Sequence, residues 1–356
     1  MFPGNEIIAS LVNAPQAPNF SSDFGTLMTI GQAVDSDRLS GQSRPSIAAI
    51  PCGEAGHVLR LVRLRTQKYS WEAQNGPSLS LLDPDYKDQG YWMGSGGTIR
   101  QITFSEDENG SRTWLAVRQS SVTTIYRPFL GQVQPAAVPT SFRNTYPPSR
   151  LSANPVAVLT TERSNSKSHR DVSFNPWYAR QFGVVDSTGL WSIWDIEGNQ
   201  SRYSTQKLTP GKSGDIHDGY EPETVSRQLE PDSRNGWHRM LWVCDINTIV
   251  VCNRRHIAVF DLKVTPSRLH GVDFPAAGSP DWILDIKRSL ADPSHMFVLT
   301  TARIFWIEIV PVGDDEKTQT GAKILLSYRH FRDANDETLR LSCLEDDTST
   351  LLLTMA

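Results

Sequence analysis

The chain is poor in the features that mark several large classes of protein. Its 356 residues hold four cysteines, Cys52, Cys244, Cys252 and Cys343, far apart, with no CxxC and no Cys/His pair at ligand spacing. That pattern indicates neither a disulfide framework nor a zinc site, and scattered thiols suggest a reducing, intracellular compartment. No apolar run approaches the roughly 18 residues of a membrane helix. The N-terminal MFPGNEIIASLVNAPQAP has no basic segment followed by an apolar one, so it does not read as a secretory signal. The sequons at Asn19, Asn109 and Asn199 then read as chance matches, because glycosylation requires secretion. No amphipathic helical pattern lasts beyond about three turns.

Charge of one sign is also missing. Lys and Arg number 35 against 39 Asp and Glu, giving a net charge of -4 and a pI near 6.1. Such a balance argues against an electrostatic grip on nucleic acid by the whole molecule, while leaving local basic patches open. Catalytic motifs are equally scarce. Gly94-Ser95-Gly96-Gly97 is not followed by Lys-Ser/Thr and a helix, as a phosphate-binding loop would be; Thr98-Ile99-Arg100 begins a strand instead. No Gly-x-Ser-x-Gly elbow marks a nucleophile. Asp215, His217 and Asp218 lie close together, but in a polar stretch with no scaffold to hold them on a substrate. Triads and carboxylate pairs assembled across space leave no spacing signature, and the sequence leaves them open.

What is present is short-period alternation. Hydrophobic residues make up 38% and charged residues 21%, and 22 prolines and 10 tryptophans fit a β-rich, loop-rich chain. The organising stretch runs from Asp171 to Glu197. Val172-Ser173-Phe174 alternates and is closed by Asn175-Pro176; Gln181 to Val185 puts Phe182 and Val184 on one face. Asp186-Ser187-Thr188-Gly189 supplies a turn, and Leu190 to Ile196 ends on Trp194-Asp195. Three short antiparallel strands ending in Trp-Asp predict one blade of a WD-type β-propeller.

The unit recurs. Ile99 to Phe104, Trp114 to Val117 and Val122 to Tyr126 precede it. His238 to Val243, Thr248 to Cys252 and Ile257 to Leu262 follow, with Phe260-Asp261 in the Trp-Asp place. Trp282 to Ile286, Met296 to Thr300 and Arg303 to Ile309 come next, where Trp306 is followed by Ile307 and the pair has degenerated. Strands are also predicted over His57 to Arg65, Ser78 to Leu82, Leu339 to Leu344 and Thr350 to Thr354. First and third strands lie about 20 residues apart in each unit, with the irregularity in the loops. The fold class is therefore all-β: a propeller with irregular blades, expected to be seven-bladed in complete form. Residues 1–46 read as an extended leader and 47–356 as the propeller, with a Pro-rich crossing at 132–148 and a polar insertion at about 198–235.

Candidate contact residues come from the basic clusters. Arg163, Lys167 and Arg170, and Arg254 with Arg255, could touch phosphate or an acidic partner; Arg60, Arg63 and Arg65 form a third group. Solvated loops and strand faces are the competing explanation, and the negative total favours it. Phe174, Trp191, Trp194, Asp195, Phe260, Asp261 and Trp306 are assigned to the structural signature of the blades, and Trp191, Trp194, Trp242, Trp282 and Trp306 to their core. No cofactor, metal or membrane partner is expected.

Four blocks in order, Gly94 to Gly97 with its strand, Trp114 to Arg118, Asp171 to Glu197 and Ser327 to Asp333, resemble the propeller-bearing largest subunit of the fungal RNA polymerase I core factor. The resemblance implies a non-enzymatic assembly platform in the nucleus and nucleolus. It also implies a TFIIB-like subunit, a helical-repeat subunit, the TATA-binding protein and RNA polymerase I as partners, with the ribosomal DNA promoter reached through the complex. Members of that family continue past the propeller, so this chain, which stops within an apparent strand at Leu351-Leu352-Leu353, is expected to be C-terminally truncated. A generic WD-type scaffold in another intracellular complex is the alternative. A propeller hydrolase, needing carboxylates or histidines converging at the channel mouth, is a third reading.

Overall fold

Strands of four to nine residues with one or two apolar faces cannot bury themselves singly, so they must stack as sheets. The computed structural model describes residues 24–35, 44–70, 78–106, 110–131, 149–198, 206–217, 236–263, 267–269, 281–310, 321–345 and 350–355. The chain opens with β1 (Thr29–Gln32), β2 (Val34–Asp35), β3 (Ser46–Cys52), β4 (Val58–Ser70) and β5 (Ser78–Met93). The first blade is the sheet β1-β3-β4-β5. The second is built from β6 (Gln101–Phe104), β7 (Leu115–Arg118) and β8 (Val122–Tyr126). Then β9 (Phe129–Leu130) and β10 (Leu151–Ser152) leave to join β2 in a three-stranded clasp, and β11 (Pro155–Thr160) returns as the second blade's outer strand.

The third blade runs in chain order through β12 (His169–Asn175), β13 (Tyr178–Asp186), β14 (Leu190–Glu197) and β15 (Lys207–Asp215). The fourth is β16 (His238–Trp242), β17 (Thr248–Asn253), β18 (Ile257–Asp261) and β19 (Ser267–Leu269). The fifth is β20 (Ile283–Arg288), β21 (His295–Thr300), β22 (Arg303–Glu308) and β23 (Lys323–Arg329), and β24 (Arg340–Glu345) with β25 (Thr350–Met355) forms a two-stranded sixth sheet. All pairings within blades are antiparallel; the parallel pairing of β2 with β9 belongs to the clasp. No helix occurs among the described residues.

The core lies between blades. Ala49, Leu59 and Leu61 of the first blade meet Ile102, Leu115 and Val117 of the second. Ala116, Ile125 and Leu159 meet Val172, Phe182 and Trp194 at the second wedge. Trp191 and Ile193 meet Met240, Trp242 and Phe260 at the third, and Val250 and Val259 meet Ile283 and Val298 at the fourth. Phe297 and Leu299 meet Leu339 and Leu341 at the fifth. Each blade is thus apolar on both faces, which explains why its strands carry more buried residues than a one-sided alternation predicts.

Several expectations need correction. Full blades have four strands, not three, because outer strands carry weak patterns: β15 reads Lys-Leu-Thr-Pro-Gly-Lys-Ser-Gly-Asp and lies inside the stretch assigned to a polar insertion. Pro155–Thr160 is the outer strand of the second blade, where the sequence places it on the way into the third. Thr29–Gln32 and Val34–Asp35, assigned to the leader, are strands of the fold, since sheet edges accept a polar run whose backbone is paired. Trp306 is 37% exposed and not a core residue. Six inner strands lie among the described residues. The crossing at 132–148, residues 199–205 and 218–235 of the insertion, Asp218 and all three sequons lie outside the described residues.

Candidate interaction surface

The inner strands β1, β6, β12, β16, β20 and β24 line a central channel of about 710 Å³. Antiparallel alternation puts the start of every inner strand, and the turn between second and third strands, at the same end of the channel. At that end a polar belt links the first four blades in turn and the fifth blade to the sixth sheet. The Ile102 N–H donates to the Thr26 carbonyl at 2.7 Å. Gln101 Oε1 accepts from Val172 N–H at 3.1 Å, Asp171 Oδ2 from Met240 N–H at 2.8 Å, and Asp285 Oδ2 from Leu341 N–H at 3.1 Å. An inner strand has no further strand on its channel side, so these acceptors meet backbone donors that would otherwise lie half-buried and unpaired. In the fourth blade the equivalent residue is Arg239, a donor, and the belt changes hand there. Arg239 donates instead to the Arg170 and Phe24 carbonyls, each at 3.1 Å.

A second polar set locks the third blade. Asp186, 1% exposed, accepts from Thr188 N–H at 2.7 Å, Thr188 Oγ1 at 2.7 Å, Leu190 N–H at 3.1 Å and Lys167 N–H at 2.8 Å. The first three close the β13–β14 turn, with Gly189 at a φ of 93° that a side chain would strain. The fourth ties in the loop from the preceding blade. His169 bridges the blades through Thr123 Oγ1 and Ser164 Oγ, each at 3.0 Å. Burial pushes His169 down to about 4, and likewise His238 at the start of β16. Both are neutral imidazoles near pH 7.

Arg163, Lys167, Arg170, Arg254 and Arg255 lie at this end, whereas Arg63 and Arg65 lie toward the other. Arg254 is a correction: it is 1% exposed, its guanidinium lies 4.5 Å from the Trp237 ring centre, and it donates to the Ile283 carbonyl at 2.9 Å. Burial pushes its pKa down to about 10, with Glu337 opposing that fall from 3.7 Å. It bolts the fourth blade to the fifth and cannot reach a ligand. Arg255 donates to the Asp281 carbonyl at 3.3 Å and lies 5.5 Å from the Trp282 ring centre. Arg163 is exposed, yet reaches down the rim to the Leu208 carbonyl at 2.5 Å and to Trp194 at 5.7 Å. Arg170 is half-buried beside Gly236, and Lys167 is exposed. Arginine stacks on aromatic faces and caps carbonyls with little hydration cost, which suits it to seams between blades.

Of the blade signature, Phe174, Trp191, Trp194 and Phe260 are buried, with Trp191 5.1 Å from Phe260 between third and fourth blades. Asp195 accepts from Gln181 at 3.0 Å, and Asp261 caps the N–H of Lys263 at 2.8 Å. Asp215 caps the N–H of His217 at 2.8 Å and so closes a turn. No group of three His, Cys, Asp or Glu side chains stands ready for a metal ion among the described residues. Sequence reasoning missed Gln101, Asp171 and Asp285; it took Asp186 as a turn residue and His169 as part of a basic cluster, without the links between blades that they make. An Asp within a tight Asp-Ser-Thr-Gly turn is a legible signal for Asp186; an isolated Asp opening an apolar strand is the only signal for Asp171 and Asp285.

Stacked four-stranded sheets, inner strands ringing a channel and polar bolts between neighbours define a β-propeller of the WD type. The chain belongs to the Rrn6 β-propeller family, whose model matches residues 22–356. It is similar to the RNA polymerase I-specific transcription initiation factor RRN6 of Saccharomyces cerevisiae, at 27% identity over 176 residues. That match covers 48% of this chain and 17% of the relative. The crystal structure of S. cerevisiae core factor shares the fold, with a TM-score of 0.63 and 17% identity over 96% of this chain and 48% of the other. The chain thus corresponds to less than half the length of either relative.

Proposed function

We propose that this propeller is a non-catalytic assembly platform within the largest subunit of an RNA polymerase I core factor, working in the nucleus and in the nucleolus. The observation that carries the reading is the family match across residues 22–356. The yeast relatives support it by what they are: an RNA polymerase I-specific initiation factor, and a core factor. The reading brings a TFIIB-like subunit and a helical-repeat subunit as direct partners, and the TATA-binding protein and RNA polymerase I as partners of the assembled complex. Ribosomal DNA is reached through that complex, and the seam-bound arginines, with a net charge of -4, are consistent with such indirect contact. Lys167, exposed at the rim, is a basic position from which a direct contact could be made.

The test is affinity purification of the tagged protein from nuclear extract, with mass spectrometry of what accompanies it. Recovery of a TFIIB-like protein, a helical-repeat subunit and RNA polymerase I subunits is expected. Recovery of a different stable complex without them would leave the fold standing and remove the assignment.

A further inference from the structure

The first blade differs from the others in carrying an arm. β3 pairs with β4 only as far as Ile47 opposite Arg63, yet β4 and β5 continue together to Ser70 and Ser78. Residues 64–70 and 78–85 therefore leave the blade as a two-stranded ribbon. They leave at the channel end opposite the polar belt, because β4 starts beside the belt end and runs away from it. At the root the register jumps: Val62 pairs with Gln89 but Arg63 with Asp85, so residues 86–88 bulge. The bulge is locked. Asp88, 2% exposed, takes Arg63 at 2.9 Å and Arg150 at 2.6 Å and 3.0 Å, and Arg150 is next to the clasp strand β10. Those cations hold the Asp88 carboxyl below its ordinary range against the opposing effect of burial. The root is stiff and anchored to a second element.

Among the described residues, the far part of the arm keeps apolar side chains exposed. Directly opposed residues of an antiparallel pair share a face. Tyr69 with Leu79, Gln67 with Leu81 and Arg65 with Asp83 form one face; Lys68 with Ser80, and Thr66 with Leu82, form the other. Tyr69, Leu79 and Leu81 are 41%, 46% and 46% exposed, a contiguous apolar row. A two-stranded ribbon is marginal in water by itself, and one that also presents such a row needs a cover. The chemistry of the cover follows from charge. Arg65, the cation of that face, is paired with Asp85, so the row has no free positive charge for phosphate. Pro84 interrupts the outer edge of β5 against the addition of a further strand.

We propose that the arm is a docking element that inserts its Tyr69–Leu79–Leu81 face into an uncharged apolar groove of a companion protein subunit. Three partly exposed side chains are far less than the roughly 800 Å² each partner contributes to a standard interface. The arm is therefore an anchor within a larger contact, with one aromatic and two aliphatic groups as its centre. The proposal rests on the core-factor reading for the identity of the companion.

The test uses the full protein co-expressed with the TFIIB-like and helical-repeat subunits, and compares two variants. Tyr69→Ser/Leu79→Ser/Leu81→Ser removes the apolar row, and Lys68→Ala/Leu82→Ser alters the opposite face. Because the row is exposed, both variants are expected to melt with the parent protein. The first is expected to lower the affinity of the isolated propeller subunit for the other two by about tenfold or more, and the second to leave it unchanged. In the assembled complex, the amides of 64–70 and 79–83 should also exchange more slowly than in the free subunit. Parent-like affinity of the first variant, or equal losses from both, overturns the arm proposal alone. If the parent protein fails to assemble with the two subunits, the core-factor reading fails, and the proposal falls with it.

Discussion

The third and fifth blades were built from the same plan and have kept different parts of it. Both are four antiparallel strands, both kink early in the inner strand, at His169/Asp171 and at Ile283/Asp285, and both place an Asp after the kink that accepts the backbone of the next blade. In the third blade the signature is intact: Trp191 and Trp194 are buried, and Asp186 closes the turn with three acceptances and holds the Lys167 loop with a fourth. In the fifth, Thr300 takes the turn position, accepting from Arg303 N–H at 2.9 Å, and Trp306 stands 37% exposed against Phe297 and His295. Trp306 shares its face with Phe297, which packs on the sixth sheet, and the two strands described there do not cover the outer half of that face. The difference teaches that strand alternation and the inner Asp carry the architecture, while the aromatic-acid signature adds stability where a full neighbour covers it.

That reading can be broken by ranking substitutions in chemical denaturation. Trp191→Ala should have the largest effect, a loss of about 3–5 kcal/mol, because it empties the seam between third and fourth blades. Acidification acts on two sites at once and rivals or exceeds that single substitution. His169 and His238 are held near 4 in the folded state, against an ordinary value near 6.5, so the unfolded chain binds protons that the folded one refuses. Stability should be level above about pH 6.5 and fall as pH drops toward 4, by about 3 kcal/mol per histidine. The fifth blade has Ile283 at the place of His169, so replacing His169 and His238 by Gln should flatten the profile, and a profile unchanged by that replacement would count against it.

Smaller effects sharpen the contrast. Asp186→Ala should cost about 2–3 kcal/mol, since it orphans buried backbone donors on two loops. Its counterpart Thr300→Ala should cost about 1–1.5 kcal/mol, with fewer donors to strand. Trp306→Ala should cost about 1 kcal/mol or less, because its face is already wet. A Trp306→Ala loss equal to that of Trp191→Ala would show that the signature matters equally in both blades.

Much of the architecture was legible in runs such as Val172 to Phe174, Thr248 to Cys252 and Met296 to Thr300, because period-two alternation is a local property. The outer strands were not. Lys207–Asp215 contains a proline and two glycines and is a strand only because β14 offers it a partner. Arg254 read as a surface cation because nothing local reveals that Trp237 and the Ile283 carbonyl will close over it.

By itself, the order of residues determined an all-β chain of repeated short strands, the turns between them and the tryptophans of the third blade. Each of these depends on neighbours within a few positions, where side-chain alternation and turn preference act directly. Only the tertiary structure decided which polar groups join the blades, which arginines are consumed by the seams and where apolar surface is left uncovered. Those outcomes depend on residues tens of positions apart: Gln101 meeting Val172, Asp171 meeting Met240, and Asp88 meeting Arg150 at the root of an arm whose Tyr69 and Leu81 remain in water.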